Sequence, residues 1–113
     1  MKIYVAGAMS NLPDHGHPAF HAAADLLRSL GHEVVSPAEQ GYPLDKPWAW
    51  YLRRDIPLLL ECDAVAVLDG WRVSRGARLE VHVARELGLA VLRASTLEPV
   101  CDMRPACGCE EVV

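Results

Sequence analysis

Four short apolar, β-rich runs punctuate the chain, and between them apolar residues recur every three or four positions. The first run, Lys2-Ile-Tyr-Val-Ala-Gly-Ala8, passes into Met9-Ser-Asn-Leu-Pro-Asp-His-Gly-His17, where Gly, Ser, Asn and Pro mark a loop at the carboxyl end of a strand. Pro18 suits the first turn of a helix. Phe20, Ala23, Ala24, Leu27 and Leu30 follow at helical spacing, and Gly31 ends the element. Glu33-Val-Val-Ser36 reads as a second strand closed by Pro37, and residues 37–46, with two prolines and a glycine, as an ordered loop. Residues 47–62 have a helical pattern with Trp48, Tyr51, Leu52, Ile56, Leu59 and Leu60 inward. Pro57 interrupts that pattern, so either the helix kinks or Asp55 caps a fresh turn in which Pro57 sits early.

Val65 to Leu68, bounded by Asp63 and by Asp69-Gly70, has the pattern of a strand covered on both faces. Ser74-Arg75-Gly76 restarts the chain as a helix. Ala77, Val81, Ala84 and Gly88 form one row of it, Glu80, Ala84 and Leu87 the next, and Arg75, Arg78, His82 and Arg85 the charged outer face. Ala90-Val-Leu-Arg-Ala94 is the last strand, residues 95–98 add one helical turn, and the tail has no periodicity.

Strands alternating with helices imply parallel pairing. The expected fold is α/β: one flavodoxin-like or Rossmann-like three-layer domain over residues 1–98, with a parallel sheet of four strands, and room for a fifth, in the order 2-1-3-4. Residues 99–113 are expected to form an irregular, flexible tail. Ligands of such sheets bind outside the carboxyl ends of the strands, at the switch between strands one and three. That sets the 7–11 loop beside the 69–76 loop, with Glu80 beneath them.

The 113 residues fit one domain, and a formal charge of −4 argues against a nucleic-acid polymer as partner. No apolar stretch approaches membrane-spanning length, and Met1-Lys2 runs directly into a strand without a signal peptide, so the expected location is the cytoplasm. Cys62 stands alone and Cys101, Cys107 and Cys109 crowd the end, which suits reduced thiols better than a disulfide scaffold or a zinc pattern. His15 and His17 flank a loop glycine and read as solvated rather than as ligands, so neither a metal nor a cofactor is expected.

Glu80 is the unusual residue. Apolar neighbours favour its protonated form and a nearby helix N-terminus favours the anion, together describing an ionised but poorly hydrated carboxylate suited to act as nucleophile or base; the bland alternative is a side chain turned outward or paired with Arg78. Gly7, Gly70 and Gly76 allow close backbone approach to a ligand, and Ser10, Ser74 and helix amides could hold an anion such as phosphate. Neither G-x-G-x-x-G nor a P-loop is present. Asp55 reads by itself as a cap or salt-bridge partner, and Trp71 either as a stacking face for a planar ring or as a lid over the sheet edge. Trp48, Trp50 and Tyr51 read as helix packing.

At these residues the chain resembles the nucleoside 2-deoxyribosyltransferase superfamily. It is nearest the branch of nucleoside 5′-monophosphate N-glycosidases and a neighbouring uncharacterised phage and bacterial domain family. Three blocks carry the resemblance: Ile3-Tyr-Val-Ala-Gly7, Arg54-Asp55 with Cys62-Asp63, and Ser74-Arg-Gly-Ala-Arg-Leu-Glu80 with Ala84 and Gly88. It implies Glu80 as nucleophile on the anomeric carbon, Asp55 as the group that protonates or assists the leaving base, and Tyr4 as the residue orienting Glu80. The substrate contacts it implies, together with the two loops, are Gly7, Met9, Ser10, Asp69, Trp71, Ser74 and Gly76. Transferases of the superfamily have an aspartate six residues before the glutamate. Ser74 stands there, as in the monophosphate hydrolases, where the serine binds the 5′-phosphate. The hydrolases' basic residue near the first loop is absent, Asn11 following Ser10, so Arg75, Arg78 or a partner subunit would supply the charge. The resemblance thus implies hydrolysis of a (deoxy)nucleoside 5′-monophosphate through a glycosyl-glutamate, in a homodimer or larger assembly of which the tryptophans of the middle helix would form part. The alternatives are base exchange, as a nucleoside 2-deoxyribosyltransferase, and a non-catalytic nucleotide-binding module.

Overall fold

The computed structural model of the protein describes residues 1–8, 17–40 and 46–100. Strand β1 (Lys2–Ala6) is followed by helix α1 (His17–Ser29), β2 (Glu33–Val35), α2 (Trp48–Leu60), β3 (Ala64–Val67), α3 (Arg75–Glu86) and β4 (Ala90–Arg93), with short 3-10 turns at Pro37–Gln40 and Trp71–Val73. All pairings between strands are parallel and the order is β2-β1-β3-β4, the expected 2-1-3-4.

Side-chain alternation divides the core into two layers. Ile3 and Val5 of β1 and Ala64 and Ala66 of β3 pack with Phe20, Ala24 and Leu27 of α1. Tyr4 and Ala6, with Val65 and Val67, face the other way and pack with Leu59 of α2 and Ala77, Val81 and Ala84 of α3. This parity matters for the site, because it delivers the Tyr4 side chain to the layer that holds Glu80.

Beyond the fourth strand the chain turns back. Leu97 adopts a left-handed conformation (φ 61°), Arg93 N–H donates to Glu98 O at 2.8 Å and Val100 N–H to Val91 O at 2.9 Å, with an antiparallel bridge between Leu92 and Pro99. A reversed segment therefore covers the β4 edge, which satisfies backbone groups an open edge would leave bare. Residues 95–98 form this turn instead of the expected helical one.

Helix α2 runs through Pro57 as one element, and Asp55 does not cap a fresh turn, because Arg54 engages its carboxylate. Two leucines expected inward are half exposed: Leu30 at 57%, beyond the last residue of α1, and Leu60 at 50%, on the last residue of α2. Cys62 is a buried free thiol that donates to Leu58 O, and burial pushes its pKa up to about 11, so it is a poor thiolate. The remaining cysteines, and His15, lie outside the described residues. No described helix is long and apolar enough to cross a membrane, and the described residues hold no cluster of three metal-ligating side chains.

Candidate active site

Ser74 starts α3. Its Oγ accepts from Ala77 N–H at 3.1 Å, the expected N-cap contact, and three buried residues, Ala77, Val81 and Ala84, then fix which face of the helix turns inward. Glu80 belongs to that face. It is only 6% exposed, and the Tyr4 hydroxyl donates to Glu80 Oε2 at 2.5 Å. The outward or Arg78-paired glutamate is not what the fold adopts.

Burial is the dominant influence on the Glu80 carboxyl and pushes its pKa up to about 8; the Tyr4 hydrogen bond pulls the other way, and the charge of Asp55 adds to the rise. Burial thus favours the protonated Glu80 carboxyl over the anion. This corrects the expected balance between helix terminus and burial. Glu80 is the sixth residue of α3, past the first turn within which the helix dipole acts, so desolvation wins. Burial and the two carboxylates raise the Tyr4 phenol well above its ordinary range, which keeps it a donor.

Asp55 is 6% exposed and comes from α2. Arg54 Nε donates to Asp55 Oδ1 at 2.7 Å, while its Nη2 lies 3.5 Å from Oδ2. Burial raises the Asp55 carboxyl and the Arg54 guanidinium opposes that rise. Glu80 and Asp55 line one cleft, with Gly7, Ser74, Gly76 and Ala77 and an apolar wall of Phe20, Pro37, Trp48, Tyr51 and Leu52.

Of the sequence-derived candidates, the fold brings Tyr4, Gly7, Asp55, Ser74, Gly76 and Glu80 together. Met9 and Ser10 lie outside the described residues. Trp71 is not on the cleft wall: it packs against the apolar layer around Val65 and Val81, with the Arg72 guanidinium 4.8 Å from its ring centre. Asp69 is exposed and borders a second, apolar cleft on the α1 side, between Ala19, Leu26, Leu68 and Ala94. The aromatic surface of this cleft is instead Trp48 and Tyr51, with Phe20 from α1; the sequence pattern assigned the first two to helix packing. A signal for them existed: Trp48, Tyr51 and Leu52 precede Asp55 by seven, four and three positions, so they share its helical face. Arg75 lies over Trp48, 3.7 Å from the ring centre, and sets a cation beside the Ser74 end of the cleft.

Gly7 allows β1 to end against β3. A Cβ there would come within 2.7 Å of Leu68 Cδ1 and 2.9 Å of Leu68 Cβ. Gly76 differs, because a Cβ would sit 3.6 Å from Leu52 Cδ2 and from Trp48 Nε1, in ordinary contact.

The family described as a domain of unknown function, DUF4406, matches residues 1–93. The chain belongs to the DUF4406 family. The match takes in every described candidate of this DUF4406 site, from Tyr4 to Glu80. Among solved structures, the protein is similar to a 2-deoxyribosyltransferase from the psychrotolerant bacterium Bacillus psychrosaccharolyticus, with a TM-score of 0.65 and 24% identity over 82% of this chain and 71% of that one. It is also similar to a 2-deoxyribosyltransferase from Leishmania mexicana, with a TM-score of 0.62 and 21% identity over 81% of this chain and 62% of that one. At these identities the likeness is one of fold, and this DUF4406 chain spans less of its neighbours than they span of it. No curated protein matches the sequence.

Proposed function

We propose that the protein hydrolyses the N-glycosidic bond of a (deoxy)nucleoside 5′-monophosphate through a covalent glycosyl ester on Glu80. The observation that carries this reading is the buried Glu80 carboxyl, held by Tyr4 and facing the same cleft as Asp55. As the C1′–N bond breaks, its electron pair passes to the base, which Asp55 protonates. The ionised Glu80 captures the cationic C1′ as an ester. Water then attacks C1′, gives its proton to Asp55 and frees Glu80, so two displacements leave the configuration retained. Tyr4 holds Glu80 Oε2 in place throughout. Ser74, whose oxygen accepts from Ala77, keeps its hydroxyl proton to donate to the 5′-phosphate, and Arg75 beside it supplies positive charge.

Base exchange is the second reading, favoured by the names of the two solved neighbours. The two readings differ in what attacks the ester, water or a second base. Chromatography of free base after incubation with a panel of nucleoside monophosphates and nucleosides tests the first reading. Wild type should release base and Glu80→Gln should not. A wild type that releases none from any member of the panel refutes the enzyme reading, and ligand-induced thermal stabilisation with every nucleotide recovered intact would favour a binding module. Glycosylation of an added second base would identify a transferase. We also read the working unit as a homodimer or larger assembly, with the half-exposed Trp50 of α2 facing the partner; light scattering that returns a monomer overturns this.

A further inference from the structure

Among the described residues, the Arg54–Asp55 pair is an unusual polar contact beside the Tyr4–Glu80 bond. Consecutive residues on a helix diverge by about 100°, so neighbours in sequence do not ordinarily face each other. Here Arg54 folds back so that its Nε meets Asp55 Oδ1 at 2.7 Å. Several further contacts surround that conformation. Nη2 lies 3.5 Å from Pro37 O and Nη1 3.5 Å from Gln40 O, while the guanidinium carbon lies 5.4 Å from the Trp50 ring centre and 5.9 Å from that of Tyr51. The arginine side chain is 19% exposed and the aspartate 8%, so this is not a solvated surface pair.

The contact is also asymmetric. Oδ1 takes the short bond at 2.7 Å, whereas the bond from Nη2 to Oδ2 is long at 3.5 Å, and the carboxyl so held lines the cleft. Among the described residues, Arg54 of α2 is the charged group that shifts Asp55, and Asp55 in turn raises Tyr4 of β1 and Glu80 of α3. Arg54 is the cation among them.

We infer that Arg54 is a positioning residue for proton transfer to the leaving base: it fixes the Asp55 carboxyl through Oδ1 and stabilises the carboxylate left when the proton departs. The inference rests on the reading of Asp55 as the acid of a glycosidic cleavage. A carboxylic acid in a dry site gives up its proton reluctantly, because the anion left behind is poorly solvated. A guanidinium already bonded to that anion supplies what water does not, without reorganisation at the moment of transfer. The same anion is the base that takes the proton of the attacking water in the second half of the cycle. The tether to the carbonyls of Pro37 and Gln40 links this setting to the segment after β2, and Pro37 is itself part of the cleft wall.

The test compares two leaving groups. An ordinary purine needs protonation to leave, whereas an N7-methylated purine already carries the positive charge and leaves without an acid. Base release by wild type, Arg54→Gln, Arg54→Lys, Asp55→Asn and Glu80→Gln would be measured on a purine nucleoside monophosphate and its N7-methyl counterpart, with thermal unfolding of each variant as a folding control. In a single turnover, which ends at the Glu80 ester and so does not call on Asp55 as a base, we expect Arg54→Gln to release base from the ordinary nucleotide roughly ten- to hundredfold more slowly, a part of what general acid catalysis contributes, with KM little changed. In that same single turnover the methylated nucleotide should release base at near the wild-type rate, Asp55→Asn should show the same selectivity, and Arg54→Lys should recover part of the loss. Glu80→Gln should lose both activities. If Arg54→Gln loses both substrates equally, its role is structural and the inference fails while the Glu80 chemistry stands. If it loses neither, the inference also fails. If wild type releases base from neither nucleotide, the inference falls together with the proposed reaction.

Discussion

The hydroxyl of Tyr4 and the carboxyl of Glu80, 76 positions apart in the chain, meet at 2.5 Å in the apolar layer between the sheet and α3. That bond lowers a Glu80 pKa that burial has raised to about 8. On an N7-methylated purine nucleotide, whose base leaves without an acid, ionised Glu80 as nucleophile means that kcat/KM should climb as pH rises toward about 8 and level off above it. Hydrogen bonds to charged groups contribute about 1.5–3 kcal/mol, and one pKa unit is about 1.4 kcal/mol. Tyr4→Phe should therefore move the ascending limb upward by roughly one to two pH units. A pH–rate profile of the variant that coincides with wild type contradicts the coupling.

Glu80 should also weaken the fold it sits in. Its folded pKa, about 8, lies above the ordinary 4.5, so the native state keeps a proton that the unfolded chain has already released. The associated stability is fully present below the unfolded value and is lost as pH rises from about 4.5 to about 8, at up to about 1.4 kcal/mol per pH unit. Glu80→Gln keeps the shape and removes the titration. Its Tm should equal or exceed that of wild type, with the gap widening between about pH 5 and about pH 8, while base release is lost. A gap that narrows over that window would contradict the burial account.

Ser74 combines a structural and a proposed binding role, and two substitutions separate them. Ser74→Ala removes the cap on α3 and should destabilise by about 1 kcal/mol. Ser74→Asp retains a capping side chain but sets a carboxylate against the 5′-phosphate. Urea denaturation should show Ser74→Asp at wild-type stability or above, whereas KM should rise for the monophosphate and not for the corresponding nucleoside. Equal changes for the two substrates would remove Ser74 from phosphate recognition.

The two glycines on the cleft wall should respond in opposite senses. Gly7→Ala drives a methyl into Leu68, which belongs to the packed layer behind it, and should destabilise by about 1–3 kcal/mol. Gly76→Ala adds a methyl at 3.6 Å from Leu52 and Trp48 without a clash. Within the first turn of α3 it should raise stability by roughly 0.4–1 kcal/mol, while the narrower cleft raises KM. Paired measurements of denaturation midpoint and KM check both.

The strand–helix alternation and the inward stripe of α3 are consequences of local pattern, because short apolar runs and the 3.6-residue period of a helix are written into consecutive residues; the 2-1-3-4 order follows from the rules for parallel crossovers, not from any local period. The same periodicity marks Glu80 as a carboxylate out of place, and Ser74 as a helix start. Other features needed the folded chain. Trp71, aromatic in a polar turn, read equally as a ring platform or as a lid over the sheet edge, and β3 and α3 draw it against the apolar layer; the cleft takes its aromatic wall from Trp48, Tyr51 and Phe20. Arg54 stood beside Asp55 in one of the blocks that carry the resemblance but had no role there, because its conformation depends on carbonyls of Pro37 and Gln40 contributed by another part of the chain. The protonation of Glu80 is likewise a tertiary property. Sequence sets the charge on a side chain's model compound, but desolvation, the Tyr4 bond and the field of Asp55 are sums over atoms brought together from β1, α2 and α3. Sequence by itself determined which elements form and which faces they bury; the packing of those faces decided which carboxyl holds a proton, which aromatic meets the cleft and which arginine reaches Asp55.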